Sequence, residues 1–198
     1  IMREEWIANL SHDLKTPLSS IKGYGEILSN ESDSIGTKER VEYANVILKK
    51  TAYLETLLED LKLTYQLKHH ILPLTVKKIN LVDLMRTVII ELLNTPPYEG
   101  RNIHFDVQTE YIPLYVDSKW LRRAFDNLIL NALIHNPPST EIWISISESI
   151  DTIEITIKDN GRGISEEDIG RLFERYYRGT DTVSNQAGTG LGMAIAKQ

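Results

Sequence analysis

An imidazole, a carboxylate and a hydroxyl lie close together near the start of the sequence. Residues 11–18 read Ser-His-Asp-Leu-Lys-Thr-Pro-Leu, so His12 adjoins Asp13 and Thr16 follows one helical turn later. A histidine with an unperturbed pKa of about 6.5 keeps a neutral, nucleophilic ring nitrogen in much of its population at neutral pH. The pattern therefore indicates nucleophilic or acid–base chemistry at His12.

The element that presents these groups is an amphipathic helix, predicted from Glu4 to Leu28. The apolar residues that recur at helical spacing are Ile7, Leu10, Leu14, Leu18 and Ile21. His12 lies off this stripe, on the polar face. Pro17 inside a helix costs roughly 3 kcal/mol, so the alternative is that one helix ends near Lys15 and a second begins with Thr16 as its N-cap.

A second long helix is predicted from about Lys38 to Leu67, after a polar turn at 29–36 and with Thr37 as a candidate cap. The positions of its near-heptad seam are Val41, Ala44, Leu48, Thr51, Leu54, Leu58, Leu61 and Tyr65. One hairpin alone cannot bury two such narrow seams. We therefore expect an antiparallel pair that dimerises into a four-helix bundle, the alternative being a hairpin packed on its own domain.

A polar stretch at 71–79 is interpreted as a linker between this hairpin, residues 1–70, and a second domain, residues 80–198. His69 and His70 directly before it are interpreted as solvated hinge residues. Tandem histidines also suit a metal, although no partner ligand stands at useful spacing.

The second domain mixes helices and strands. Helices are predicted at Leu81–Leu93 and, capped by Asp117 or Ser118, at Lys119–Ile134, with a loop at 96–97. The predicted strands are Ile103–Gln108, Leu114–Val116, 142–146 and 153–157. This mixture predicts a two-layer α/β sandwich.

Two asparagines, Asn127 and Asn131, stand four residues apart on one face of the Lys119–Ile134 helix. Asparagine is a poor helix former, so a stacked pair calls for a reason. A carboxamide oxygen is a suitable ligand for magnesium, which prefers oxygen donors. Capping or interhelical hydrogen bonding is the structural alternative.

A glycine-containing turn, Asp159-Asn-Gly161-Arg-Gly163, directly follows the last predicted strand. Its glycines would let the backbone approach a flat ligand while the carboxylate accepts a hydrogen bond from an amine, such as the amine of adenine. Asp-Asn-Gly is also an ordinary turn sequence.

Two further segments carry groups suited to phosphates. Leu172–Arg178 combines aromatic residues with arginines, whose guanidinium fork fits phosphate oxygens, although Phe173 and Tyr176 also suit a hydrophobic staple. Residues 188–193, Gly-Thr-Gly-Leu-Gly-Met, precede a helical run, where free amide hydrogens and the helix dipole favour an anion. This run is not a Walker A loop.

Composition excludes several classes of function. The 198 residues are 41% hydrophobic and 25% charged and contain no cysteine, which excludes disulfides and thiolate chemistry. A formal charge of −6 without a basic run argues against a nucleic-acid partner. No apolar run approaches the roughly 18 residues of a membrane helix, so we expect no direct membrane contact by this piece, which we interpret as a fragment.

Residues 11–18 resemble the H box of sensor histidine kinases almost letter for letter. The four segments of the second domain, starting at Asp126, Asp159, Leu172 and Gly188, resemble the N, G1, F and G2 boxes of the histidine kinase ATP-binding domain, in the family's order. The resemblance implies a dimeric helical bundle followed by a Bergerat-type ATP-binding fold. It also implies a homodimer that uses Mg-ATP to phosphorylate its own histidine and passes the phosphoryl group to an aspartate of a response regulator.

The resemblance assigns roles in phosphoryl transfer. His12 is similar to the phosphoacceptor, and Asp13 is similar to its acid–base partner. Arg178 is similar to the arginine that approaches the γ-phosphate. Thr16 completes a pattern that implies dephosphorylation of the partner.

The resemblance also assigns nucleotide contacts. Asn131 is similar to the magnesium ligand, Asn127 to its phosphate-supporting neighbour, and Asp159 to the adenine-reading carboxylate. A mobile lid is implied at about 179–188. The other residues implied to line the nucleotide are His135, Gly161, Gly163, Tyr176, Gly188, Gly190, Leu191 and Gly192.

The sequence departs from the family pattern in two places. A basic residue often follows the second N-box asparagine by three places, but Ile134 stands here, so we expect the phosphate contact to be lost or transferred to His135. The ATP-binding domain also ends soon after the G2-like run, which predicts that this domain is truncated at its C-terminus. The resemblance implies that this piece is the cytoplasmic part of a membrane-anchored bacterial sensor. The alternatives are a non-catalytic nucleotide-binding scaffold and an ATPase of the same superfamily.

Overall fold

The structure is a computed structural model that describes residues 2–30, 35–174, 177 and 191–197, with the side chains of residues 2–9 left aside. The chain divides into two compact units, Ile1–His70 and Ile71–Gln198. The first unit is helical, and the second contains all five strands found in the described residues.

The helical unit is a hairpin of α1 (Met2–Ser29) and α2 (Thr37–Lys68). α1 continues through Pro17, whose side chain is buried, so the alternative of two helices meeting at Thr16 is wrong. The rings of Tyr24 and Tyr43 lie 5.2 Å apart across the hairpin. α2 is capped by Gly36 rather than by the predicted Thr37, and the carboxylate of Glu39 accepts a 3.0 Å hydrogen bond from the Gly36 amide.

The predicted α2 seam does not form the buried face of the hairpin. Leu57 and Leu63, which are buried, are not seam positions, whereas Leu48 and Leu58 of the seam are 66% and 57% exposed. The face of α2 that packs within its own unit is therefore rotated away from part of the near-heptad seam.

The second unit begins with β1 (Lys77–Asn80), so residues 77–79, predicted as part of the linker, are in a strand. The helices that follow are α3 (Leu81–Leu93), α4 (Ser118–Ile134), α5 (Glu166–Ile169) and α6 (Gly192–Lys197), with a short 3₁₀ turn at Pro96–Tyr98. The other strands are β2 (Asn102–Val107), β3 (Pro113–Val116), β4 (Glu141–Glu148) and β5 (Ile153–Asp159). The predicted order of helices and strands is confirmed from Leu81 to Asp159, while β1 and α5 were not predicted.

Two sheets form. β1 pairs with β3 in antiparallel orientation, while β4 lies between a parallel β2 and an antiparallel β5. Alternate residues of β4, namely Ile142, Ile144 and Ile146, are buried against α3 and α4 side chains such as Met85 and Ile129. This alternation packs one face of the sheet against helices, and the predicted two-layer sandwich is confirmed.

Candidate functional site

The imidazole of His12 projects from α1 into solvent, with 79% of the side chain exposed. Its Nδ1 atom lies 3.6 Å from Oδ1 of Asp13, whose own side chain is 16% exposed. A carboxylate beside one ring nitrogen favours the tautomer with its proton on that nitrogen. The geometry therefore leaves Nε2 of His12 as the accessible nucleophilic atom.

Thr16 lies one turn after His12, and its hydroxyl donates a 3.2 Å hydrogen bond to the backbone carbonyl of His12. Pro17 has no amide hydrogen to offer the carbonyl four residues earlier, at Asp13. The exposed Thr16 hydroxyl keeps its lone pairs available to a water or ligand. The hydroxyl, the imidazole and the carboxylate thus occupy neighbouring positions on one stretch of α1.

In the second unit, Asp159 ends β5 and is partly buried. Its Oδ1 atom accepts hydrogen bonds from the Gly161 amide at 2.9 Å and from Nδ2 of Asn136 at 3.2 Å. No described residue donates to Oδ2. One carboxylate oxygen is therefore held in place while the other is available to a donor on a ligand.

The two glycines after Asp159 serve different local needs. A Cβ atom on Gly161 would fall 1.9 Å from Oδ1 of Asn136, so this position leaves room for a neighbouring amide. Gly163 has φ of +74° and open space around it, so its requirement is conformational. From the sequence, these glycines were explained by access for a flat ligand or by an ordinary turn, and the contact with Asn136 was not predicted.

Asn127 and Asn131 lie on α4 as predicted, and both are partly buried. Nδ2 of Asn127 is buried without a hydrogen-bond partner among the residues that the structure describes. Gly192, the first residue of α6, faces this side chain, because its Cβ would stand 3.1 Å from Oδ1 of Asn127. A buried amide without a partner is costly unless something binds it, so Asn127 suits an oxygen of a bound phosphate.

The residues present fit a magnesium nucleotide. Asn131 offers a carboxamide oxygen one turn from the unpartnered amide of Asn127. The described residues contain no cluster of three or more histidine and acidic side chains that could hold a metal on its own. This donor set suits magnesium, which is bound through few protein ligands together with phosphate oxygens and water.

His135 caps the C-terminus of α4 and is partly buried. Burial, followed by the positive charge of Arg162, lowers the pKa of His135 below its ordinary value. The imidazole is therefore neutral at pH 7 and offers a hydrogen bond, not a charge, in place of the basic residue missing at Ile134.

Several predicted site residues lie outside the described residues: Tyr176, Arg178, Gly188, Gly190 and the lid at 179–188. Tyr177 is described, and its hydroxyl donates a short hydrogen bond to the buried Asp168. The guanidinium of Arg171 lies 4.2 Å from the centre of the Tyr177 ring. Leu191 is fully buried.

Comparison with known proteins matches both units. Residues 2–69 match the His Kinase A (phospho-acceptor) domain, and residues 116–198 match the histidine kinase-, DNA gyrase B- and HSP90-like ATPase family. The chain carries the two domains of sensor histidine kinases. Its second unit is accordingly an ATP-binding domain, and the predicted H box lies in the phospho-acceptor domain.

Relatives across this family span the whole chain. Sensor histidine kinase YvrG of Bacillus subtilis is 45% identical over 196 residues, which cover 99% of this chain and 34% of that protein. Histidine kinase AdeS of Acinetobacter baumannii has the same fold, with a TM-score of 0.71, 20% identity and coverage of 93% and 83% of the two chains. Histidine kinase ThkA, in complex with response regulator protein TrrA, has a TM-score of 0.68 at 19% identity over 88% of this chain and 50% of that chain.

The chain thus spans about a third of the length of YvrG. Among the residues that the structure describes, no helix combines the length and the apolar character needed to cross a bilayer.

Asn136 was missed from the sequence, although it contacts Asp159 directly. The available signal was a polar residue between the end of a helix and two prolines, Pro137 and Pro138. Two of its partners, Asp159 and Arg162, lie more than twenty residues away in sequence, where no local pattern points to them.

Proposed function

We propose that this protein is an ATP-dependent protein-histidine kinase that phosphorylates His12. The observation that carries the proposal is the exposed imidazole of His12 with Asp13 beside its Nδ1 atom. A buried or fully hydrogen-bonded histidine would serve packing instead. This one leaves Nε2 open to an electrophile.

In the proposed reaction, the Nε2 lone pair of His12 forms a bond to the γ-phosphorus of ATP. The bond from that phosphorus to the bridging oxygen breaks, and ADP leaves. The imidazole ring becomes positively charged, with its proton on Nδ1. Asp13 stabilises that charge and accepts the proton, which preserves the phosphohistidine as a neutral ring.

The nucleotide end is proposed to use the second unit. Asp159 accepts from the exocyclic amine of adenine through its open Oδ2 atom, and Asn127 donates its buried amide to a phosphate oxygen. Asn131 would hold the magnesium ion, which supplies charge neutralisation at the phosphates when bound. Arg178 and the lid at 179–188 are proposed to complete the site, with Gly188 and Gly190 at the end of the lid.

The next acceptor is proposed to be an aspartate of a response regulator. The ThkA structure is a complex with a response regulator protein, which supports this class of partner. The exposed hydroxyl of Thr16, one turn from His12, is proposed to position a water for the reverse step, hydrolysis of the acyl phosphate.

We also propose a homodimer built by the helical unit. Along α1 and α2, large apolar side chains point into solvent, with Leu18 52%, Val41 56% and Leu48 66% exposed. Pairing with a second hairpin would bury them in a four-helix bundle. The sensor names of the relatives support a further proposal, that this is the cytoplasmic portion of a membrane-anchored sensor.

One observation favours a second candidate, a nucleotide-binding scaffold without kinase activity. Neither Ile134 nor the neutral His135 supplies the positive charge that the family often places here, so phosphate binding has one cation fewer.

The test is incubation of the full-length protein with γ-labelled ATP and magnesium, beside His12→Gln. We expect label that is stable in alkali, labile in acid and absent from the variant, which removes Nε2 as nucleophile while keeping a polar side chain. Tight nucleotide binding without label would favour the scaffold. ATP hydrolysis that survives His12→Gln unchanged would point to an ATPase.

A further inference from the structure

The side chain of Asn136 lies at a junction of three elements of the second unit. Its Nδ2 atom donates to the carbonyl of Ala132 at 3.0 Å, which satisfies one of the free carbonyls at the end of α4. Pro137 follows directly and cannot continue the helix, so the side-chain amide takes over a backbone role.

The same amide nitrogen reaches the end of β5. Its second hydrogen goes to Oδ1 of Asp159 at 3.2 Å, while Oδ1 of Asn136 accepts from the amide of Arg162 at 3.2 Å. Both hydrogens of the Asn136 side-chain amide and its oxygen therefore have hydrogen-bond partners. Because the two ends of the amide have different partners, its orientation is fixed.

The turn is shaped around this amide. A Cβ atom on Gly161 would lie 1.9 Å from Oδ1, 2.2 Å from Cγ and 2.6 Å from Nδ2 of Asn136, which no real contact allows. Glycine at 161 is therefore required by the side chain at 136. Asn136 and Gly161 are therefore packed against each other as a pair, although they are twenty-five positions apart in sequence.

We propose that Asn136 is a positioning residue that sets the preference for adenine. Together with the Gly161 amide, it saturates Oδ1 of Asp159 and directs Oδ2 toward the ligand. An exocyclic amine can then donate to Oδ2, whereas a base without that amine leaves the oxygen unpaired. This inference rests on the proposed role of Asp159 in nucleotide binding.

The test measures two dissociation constants for the full-length protein, one for ATP and one for purine riboside triphosphate, which lacks only the exocyclic amine. Asn136→Ala should weaken ATP binding about tenfold, the equivalent of one hydrogen bond, and change binding of the analogue much less. A purely structural role would weaken both nucleotides equally, which would overturn the proposal.

Asn160→Ala is the matched control. Its Oδ1 atom accepts from the Glu141 amide at 2.9 Å, so the variant removes an asparagine bond from the same turn without touching Asp159. We expect the ratio of the two constants to stay at its wild-type value in this variant. If Asn160→Ala changes the ratio of the two dissociation constants as much as Asn136→Ala does, the inference is contradicted.

A double variant tests the packing step. Gly161→Ala alone should lower stability and ATP affinity, because the new methyl group meets the Asn136 amide. In the Asn136→Ala background, the same change should cost much less. Equal costs in both backgrounds would show that Gly161 is not required by Asn136.

Asp159→Asn distinguishes failure of this inference from failure of the proposed function. If wild type prefers ATP over the analogue and Asp159→Asn loses the preference while Asn136→Ala keeps it, Asp159 reads adenine without help from Asn136. If the wild-type protein binds ATP and the analogue equally well, Asp159 does not read adenine. Both its proposed role and the positioning role of Asn136 are then wrong.

Discussion

The two units place their candidate functional side chains in opposite environments. The His12 side chain is 79% exposed on the surface of α1, with its Nδ1 atom 3.6 Å from Oδ1 of Asp13. Asp159 is partly buried, and two donors fix one of its oxygens. The proposed phospho-acceptor is open to more than one partner, while the proposed adenine contact is held in place without a ligand.

The difference has a physical cause. In the proposed reaction His12 meets ATP and then a second protein, so it cannot be enclosed, and its specificity has to come from what docks around it. A group that selects a base gains from preorganisation, because no ordering cost remains to be met at binding. Substitutions at exposed groups such as Thr16 should therefore alter reactions with little effect on stability, and substitutions around Asp159 should alter both.

The largest effect that sharpens this comparison is expected for Thr16→Ala. The hydroxyl makes only a local bond to the His12 carbonyl, a type of bond that does not stabilise helices. We expect dephosphorylation of the response regulator to fall at least about tenfold, in keeping with loss of a group that positions water. Autophosphorylation and the melting temperature should change little.

Ser20→Ala provides the matched control for Thr16→Ala. Its hydroxyl donates to the Thr16 carbonyl at 3.2 Å, the same type of bond one turn further along α1. If both variants reduce dephosphorylation equally, the effect belongs to the helix backbone and not to the Thr16 hydroxyl.

A pair of glycine substitutions compares the units by stability. Gly23→Ala on α1 meets nothing within 4 Å and should stabilise the helical unit by about 0.5–1 kcal/mol, the usual gain for alanine inside a helix. Gly192→Ala places a methyl group 3.1 Å from Oδ1 of Asn127 and should destabilise the α/β unit by about 1 kcal/mol. Chemical denaturation of each variant measures both effects.

The sign of the second change is the decisive observation. Gly192→Ala should also weaken ATP binding, since the methyl group displaces the amide of Asn127. A neutral or stabilising effect of Gly192→Ala would mean that the Asn127 side chain moves easily to admit the methyl group. The α/β unit would then be less rigid at this contact between α6 and α4 than the comparison with α1 assumes.

Local patterns predicted the elements well and the contacts between them poorly. α3 occupies the predicted range Leu81–Leu93, because its capping residues and the helical spacing of its apolar residues are local features of the sequence. β1 was read as linker, since its lysines carry no strand signal and the strand exists through pairing with β3. Thr37 as a cap was wrong for a local reason, because the neighbouring Gly36 and Glu39 form the cap instead.

The candidate site divides in the same way. Residue types and spacing pointed to His12, Asp13 and Asp159, whose chemistry is evident in the letters. Asn136 was invisible, because its function depends on bonds to residues at 159 and 162 that only the fold brings near.

The smallest expected effect concerns pH and His135. Burial and the charge of Arg162 lower the pKa of His135 in the folded protein, so below the ordinary histidine value the unfolded chain binds more protons than the folded one. The contribution to stability is present above the ordinary pKa and is lost as the pH falls through the folded value. Denaturation at a series of pH values below about 6.5 should show this loss.

Two variants separate the causes of that slope. His135→Gln cannot titrate, so it should remove this part of the pH dependence. Arg162→Gln removes only the second cause and leaves the backbone amide that bonds Asn136, so it should flatten the slope less. A slope unchanged by His135→Gln would mean that acid weakens the α/β unit through its carboxylates instead. The pH dependence of stability would then report on those carboxylates and not on the buried His135.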